Sequence, residues 1–341
     1  MGKLIQQSVM PYNVTVPVKR PRLVLIDIMQ GMAMLLVVFG HHLLGFMPDG
    51  YGKFHNWLYI FHMPLFISIS GFLIAYSYKG EQYGAYICRR FRKFFIPYVI
   101  IGIIITLLAS LKYGAASIGN NLLNLLVSPK QSEATFLWYI YLLFFLYALY
   151  PLINFLQMKN LVLCNAGLVI IGILAFIFPV KVQLFCLDYF SRYFIFYAIG
   201  IVASSCLDLI KRHRRMSMIA GIISLTCFIS ISSIFIFNGG GNHSRYSWLL
   251  SFLVIPAMYA ISCGIKYFPR IRNTLVSVSK NCFYIYLLHM FFVQGLAFMF
   301  TKIYRDGLSP AGAVVYIIIS SIISITGSIY CFRLYKLIRN R

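Results

Sequence analysis

An all-α integral membrane protein, with about ten transmembrane helices packed as one bundle, is the fold this sequence predicts. Three observations predict it. Of 341 residues, 60% are hydrophobic and only 11% charged, and the mean hydropathy is +0.82, outside the range of a soluble domain. The apolar residues come in runs of about 20, the length that crosses a hydrocarbon core at 1.5 Å per residue. The 30 Lys and Arg, against 7 Asp and Glu, sit mainly in short segments between those runs. They read as topology signals and contacts with anionic lipid, not as a nucleic-acid surface.

Residues 22–45 make the first span, and it is polar where a span should not be: Asp27, Gln30, His41 and His42 lie within it. At 100° per residue, Gln30, Met34 and His41 fall within about 60° of Asp27, while His42 points about 100° away from His41. An ionisable side chain inside a span costs several kcal/mol, so it requires a partner, a water-filled cavity or a function. The alternative is an Asp27 that reaches water at one end and a histidine pair hydrogen-bonded at the other interface.

A loop over 48–56 leads to the second span, 57–78, where Pro64 frees a carbonyl that a neighbour must satisfy. His62, near its start, fits an interfacial histidine and a site residue equally well. The basic cluster Lys79, Arg89, Arg90, Arg92 and Lys93 precedes the third span, 94–111. Residues 112–133 are polar enough to lie outside the bilayer. The fourth span, 135–156, has Trp138 and Tyr150 near its ends, where aromatic belts form. A turn over 157–160 leads to the fifth span, 161–180, and the sixth covers 189–206 with Arg192 one turn inside. Basic residues in 208–217 precede the seventh span, 218–237. The glycines of 238–246 lack the spacing of a phosphate-binding loop. Spans eight to ten are 247–265, 276–300 with Lys280 and His289, and 311–334.

Placing both termini in the cytoplasm puts about three times as many Lys and Arg inside as outside. The chain then divides into a cytoplasmic tail, 1–21, and a single transmembrane domain, 22–341. The tail has no apolar core, so the first span is expected to act as its own insertion signal. The eight Cys show neither CxxC nor metal-ligand spacing, and no disulfide framework, zinc site or other metal is expected.

G-x-S-x-G, H-E-x-x-H and paired carboxylates are missing. What remains is His41, His62 and His289 in the spans, with basic residues at the cytoplasmic end. Neutral imidazole takes a proton from a hydroxyl and later releases it. Arg90, Arg92 and Lys93 suit the phosphates of a donor arriving from the cytosol. The alternative for this cluster is a topology signal that touches only lipid head groups.

Four strings in order, DIMQGMAMLLVVFGHH, FHMPLFISISGFL, RRFRKFFIPY and NCFYIYLLH, resemble the membrane-bound acyltransferase type 3 family, in particular its polysaccharide O-acetyltransferase branch. The resemblance runs from about Arg22 to the last span. It implies a ten-span acyltransferase domain of a bacterial cytoplasmic membrane. Its activity would move an acyl group, normally acetyl from cytoplasmic acetyl-CoA, to a sugar hydroxyl of a lipid-linked or cell-surface polysaccharide. It implies that His41 is the catalytic base and that Arg90 and Lys93 match the family's basic pair before Pro-Tyr. Gln30 stands where many members carry Arg or Lys, so a carboxamide replaces a cation beside Asp27. Asp27 and Gln30 therefore join His41 as candidate catalytic residues, Arg90, Arg92 and Lys93 are candidate donor-binding residues, and His62, Arg192, His289 and Trp138 are further candidates. Expected partners are acyl-CoA, the glycan acceptor, the bilayer and polysaccharide-assembly proteins. A transporter of glycan or acyl intermediates is the competing reading, although no internal repeat supports it.

Overall fold

The computed structural model describes residues 21–42, 45–48, 50–114, 118–237, 247–303 and 307–339. The predicted tail, except Pro21, and the glycine-rich turn over 238–246 lie outside them. Among the described residues the chain forms helices and no strand: α1 (Val24–Gly40), α2 (Tyr51–Ser77), α3 (Tyr83–Arg90), α4 (Ile96–Tyr113), α5 (Ile118–Val127), α6 (Trp138–Lys159) and α7 (Leu161–Ile177), then α8 (Leu187–Ser205), α9 (Leu207–Arg212), α10 (Arg214–Phe237), α11 (Ser247–Ile265), α12 (Pro269–Lys280), α13 (Cys282–Ile303) and α14 (Pro310–Arg339). Among the described residues eight segments are long and apolar enough to cross a membrane, and α1 and α7 are apolar helices of 17 residues that fall just short. The protein is a multi-pass integral membrane protein.

The core gathers around α2: 78% of its apolar window is buried, against 17% for α10 on the periphery. Small residues let the central helices approach. Gly71 of α2 presses on the Tyr197 carbonyl of α8, Gly200 of α8 on the Ser68 carbonyl of α2, and Gly31 of α1 on the Leu275 carbonyl of α12. A Cβ at any of these three would collide with backbone.

Two prolines sit inside central helices, and each freed carbonyl has a partner. Pro64 cannot donate to Ile60, whose carbonyl instead accepts from the Ser251 hydroxyl of α11 at 2.8 Å. Pro151 leaves the Tyr147 carbonyl free, and the buried Tyr86 hydroxyl donates to it at 3.0 Å. In a membrane interior an unpaired carbonyl is costly, so these bonds keep the proline-bearing helices continuous.

The structure corrects the sequence reading in four places. The loop expected over 48–56 is largely helical, since α2 begins at Tyr51 and stacks His55 against Tyr59 one turn on, ring centroids 4.1 Å apart. The basic cluster is not a loop before the third span: α3, a π-helical turn over Phe91–Phe95 and α4 run on as one helix. Pro97 lacks the N–H that would bond the Lys93 carbonyl and would crowd it. The wider turn, closed by the Ile96 N–H on the Phe91 carbonyl, accommodates both. The polar stretch 112–133 contains α5, whose last carbonyls, Leu125 and Leu126, accept from the Tyr98 and Tyr141 hydroxyls at 2.5 and 2.8 Å. Finally, the ninth span starts at Cys282 instead of residue 276. Asn281 turns its carboxamide back onto the Ser277 carbonyl at 2.8 Å and separates α12 from α13.

Candidate functional site

A cavity of about 210 Å³ lies between α1, α2, the π-helical turn, α6 and α13. Its walls include Gln30, Ser70, Arg90, Lys93, Tyr139, Tyr147, Cys282 and Tyr286. Three residues singled out from the sequence, Gln30, Arg90 and Lys93, therefore share one space. Arg92, also expected there, is exposed and does not line it. The Arg90 guanidinium sits 5.0 Å from the ring centroids of both Tyr86 and Tyr147, with its Nε buried and without a hydrogen-bond partner among the described residues. Cation–π attraction holds the charge while the Nε–H stays available. Deeper in, the Ser70 and Tyr139 hydroxyls share a hydrogen bond of 2.6 Å.

At one end of α1 the polar groups satisfy each other. Arg22 makes a two-pronged pair with Asp27, at 2.7 and 2.9 Å. The Ser279 hydroxyl lies 3.1 Å from the Asp27 carboxylate and 2.8 Å from the Gln30 side-chain oxygen. The expected loss of a cation beside Asp27 is thus made good by Arg22. Asp27 is far from His41: fourteen residues of helix separate them by about 21 Å.

At the other end the histidines collect. His41 follows the last turn of α1, half-buried. Its ring centroid is 5.0 Å from His289, 6.3 Å from Phe136 and 6.4 Å from Tyr59. No hydrogen bond ties its ring to another described residue. His42 beside it is wholly buried, with Nδ1 2.9 Å from the Val38 carbonyl and Nε2 2.9 Å from the Ser320 hydroxyl of α14. His62 and His289 are buried too, and each directs Nδ1 at backbone carbonyls: Leu58 at 2.7 Å for His62, Ile285 and Tyr286 at 3.0 and 2.9 Å for His289. A carbonyl only accepts, so Nδ1 carries the proton in both rings and Nε2 of the neutral form is a bare acceptor. Among the described residues no three His, Cys, Asp or Glu are placed to share a metal ion.

One aromatic layer divides the cavity from the histidines. Tyr286 forms part of the cavity wall and donates its hydroxyl to the Phe136 carbonyl, and the Phe136 ring contacts both His41 and His289. Trp138 lies on the α6 side of this layer, stacked on Tyr193 at 5.4 Å and against Tyr189 at 4.4 Å. Tyr189 also meets Lys130, which pairs with Asp188 at 2.5 Å. Burial would lower the pKa of Lys130, but the hydrogen bond to Asp188 and the neighbouring Tyr189 outweigh it and raise that pKa. Arg192 is exposed on α8 and does not line the cavity.

Sequence reasoning missed Arg22, Ser279, Ser70, Tyr139, Tyr147, Phe136 and Tyr286. A signal existed for one of them. Cys282, Tyr286 and His289 recur at i, i+4 and i+7, one helical face, and the first two line the cavity while the third meets His41. Ser279 carried no such signal, because its partners lie about 250 positions away in the chain.

A family model described as an acyltransferase domain matches residues 23–333, a range that includes the cavity, the basic helix and all three buried histidines. No curated protein and no solved structure matches the chain.

Proposed function

The chain belongs to the acyltransferase type 3 family and is a membrane acyltransferase, and from that premise we propose that it moves an acyl group, normally acetyl, from cytoplasmic acyl-CoA to a sugar hydroxyl of a cell-surface or lipid-linked polysaccharide. The observation that carries this reading is the cavity, which has cations at one end and stops one aromatic layer below His41, whose ring has no hydrogen bond to another described residue. Topology follows the positive-inside count: ten spans, including the two 17-residue helices, in one domain over 22–341 of a bacterial cytoplasmic membrane, both termini and the Arg90 end cytoplasmic.

In this reading Arg90 and Lys93 hold donor phosphates by charge-assisted hydrogen bonds, each worth about 1.5–3 kcal/mol. Arg92, outside the cavity, is left to lipid head groups or the donor's outer phosphates. The pantetheine arm, with its amides, runs past Gln30 and the Ser70–Tyr139 pair. Phe136 and Tyr286 yield as the thioester rises. His41 takes the proton of the acceptor hydroxyl, and the oxygen attacks the thioester carbonyl. The ester forms, the carbon–sulfur bond breaks, and the coenzyme A sulfur leaves with the proton that His41 took. Gln30 acts on the donor side, and Asp27 acts only by holding Gln30 through Ser279.

The test is acetyl transfer by the purified protein in proteoliposomes, supplied with radiolabelled acetyl-CoA and surface glycan from its host. Alkali-labile acetyl on the glycan is the expected product. Glycan movement without label incorporation would replace this reading with a transporter.

A further inference from the structure

His289 does nothing in the mechanism above, although two backbone carbonyls hold its ring in place. Both carbonyls at its Nδ1 fix one tautomer, and its Nε2 is buried with no hydrogen-bond partner among the described residues. An acceptor lone pair shut away without a donor is costly, and a native interior rarely leaves one so. The Tyr286 hydroxyl, on the same helix face, is committed to the Phe136 carbonyl. Phe136 offers no N–H or O–H from its side chain. Of the described rings in contact with His289, the third is His41, with ring centroids 5.0 Å apart and planes inclined by 48°. An N–H···N bond of about 2.9 Å between facing imidazoles, whose nitrogens lie about 1.1 Å from their centroids, gives that same separation. His41 follows the last turn of α1 as its C-cap residue.

We propose that His289 is the positioning residue for His41: its Nε2 accepts an N–H of His41 and so leaves the other nitrogen of His41 bare, facing the acceptor hydroxyl. This rests on the acyl-transfer reading for its consequence, though not for its geometry. When His41 takes the hydroxyl proton, its remaining N–H becomes a charge-assisted donor to His289, which stabilises the imidazolium. The proton then leaves with the coenzyme A sulfur, and His289 ends as it began. It fills the orienting position that a carboxylate holds in other nucleophile–base–orienter arrangements, with a neutral acceptor suited to a membrane interior. His62 cannot substitute, although its tautomer is fixed in the same way, because its ring packs on Tyr59 and not on His41. His42 has both nitrogens occupied, and His55 stacks on Tyr59.

The test uses the full-length protein in lipid nanodiscs with ¹⁵N-labelled histidine. Without any substrate, nuclear magnetic resonance should show His289 protonated at Nδ1 only and a nitrogen–nitrogen coupling across the bond from His41. Steady-state transfer from acetyl-CoA to host glycan is then compared in His289→Leu and His289→Gln, the second of which keeps an acceptor oxygen near the Nε2 position. His289→Leu should lower kcat about ten- to a hundredfold with KM for acetyl-CoA unchanged, and His289→Gln should recover much of that loss. Absence of the coupling in wild type, an unaffected kcat in His289→Leu, or equal losses in both variants at equal helical content would each overturn the proposal. A coupling without any transfer by wild type would uphold the pair and reject the acyl-transfer reading instead.

Discussion

The two ends of α1 contain similar amounts of polarity and use it in opposite ways. At the Asp27 end, Arg22, Asp27, Gln30 and Ser279 bond among themselves. At the other end, the His41 ring has no hydrogen bond to another described residue and faces a second ring with an unused lone pair. The contrast repeats across one peptide bond, because His42 is saturated by Val38 and Ser320 while His41 beside it has no such bonds. A polar group in a membrane that has found its partners holds helices together, and one that has not is available to a substrate.

The sharpest way to break this comparison is to remove each histidine. His41→Ala should cost about 10²–10⁴ in turnover, the usual worth of a positioned base. His42→Ala should leave turnover per folded molecule within a few fold and lower thermal stability by about 1–3 kcal/mol, since a buried hydroxyl loses its partner. Radiolabelled acetyl transfer and unfolding in nanodiscs separate the two effects. Arg90→Gln comes next: the aromatic faces of Tyr86 and Tyr147 would lose their cation, and KM for acetyl-CoA should rise about tenfold while KM for the glycan holds. Gly31→Ala tests packing at the satisfied end. Its Cβ has no room against the Leu275 carbonyl, so stability should fall by about 1–3 kcal/mol, read as a lower unfolding midpoint. The smallest effect is expected from Ser279→Ala. Asp27 keeps Arg22, and Gln30 loses one bond, so transfer should fall only a few fold. A loss as large as that of His41→Ala would mean that the Asp27 end takes part in the chemistry.

Much of this was legible beforehand because membrane physics writes it plainly. Apolar runs gave the helices to within a few residues at α7, α8 and α11, where Asn160 and similar polar residues mark the ends; Asn160 caps α7 through the Leu163 N–H at 2.9 Å. The stripe through Asp27, Gln30 and His41 does face one side of the bundle, α12 followed by α13, touching Ser279 of α12 at one end and His289 of α13 at the other. What stayed hidden depended on contacts distant in the chain. Nothing local in PRIRNTLVSVSK announces a helix that packs on α1, and the basic run RRFRK reads as a loop until Pro97 and the π-helical turn place it inside a helix. Of the three donor-site bases read from that run, the helical phase put Arg90 and Lys93 on the cavity and Arg92 away from it. The aromatic belt expected at Trp138 and Tyr150 gave no hint of Phe136, Tyr139 and Tyr286, which lie between the cavity and the histidines through tertiary packing alone.

The central claim is that chemistry happens at the free end of α1, with the donor arriving from the other side of the membrane. Sealed vesicles with radiolabelled acetyl-CoA confined to the compartment facing Arg90, and host glycan confined to the compartment facing His41, test it directly. The account predicts label on the glycan with wild type and His42→Ala, and none above background with His41→Ala. Equal transfer by His41→Ala and wild type, or label that appears only when donor and glycan share a compartment, would contradict it.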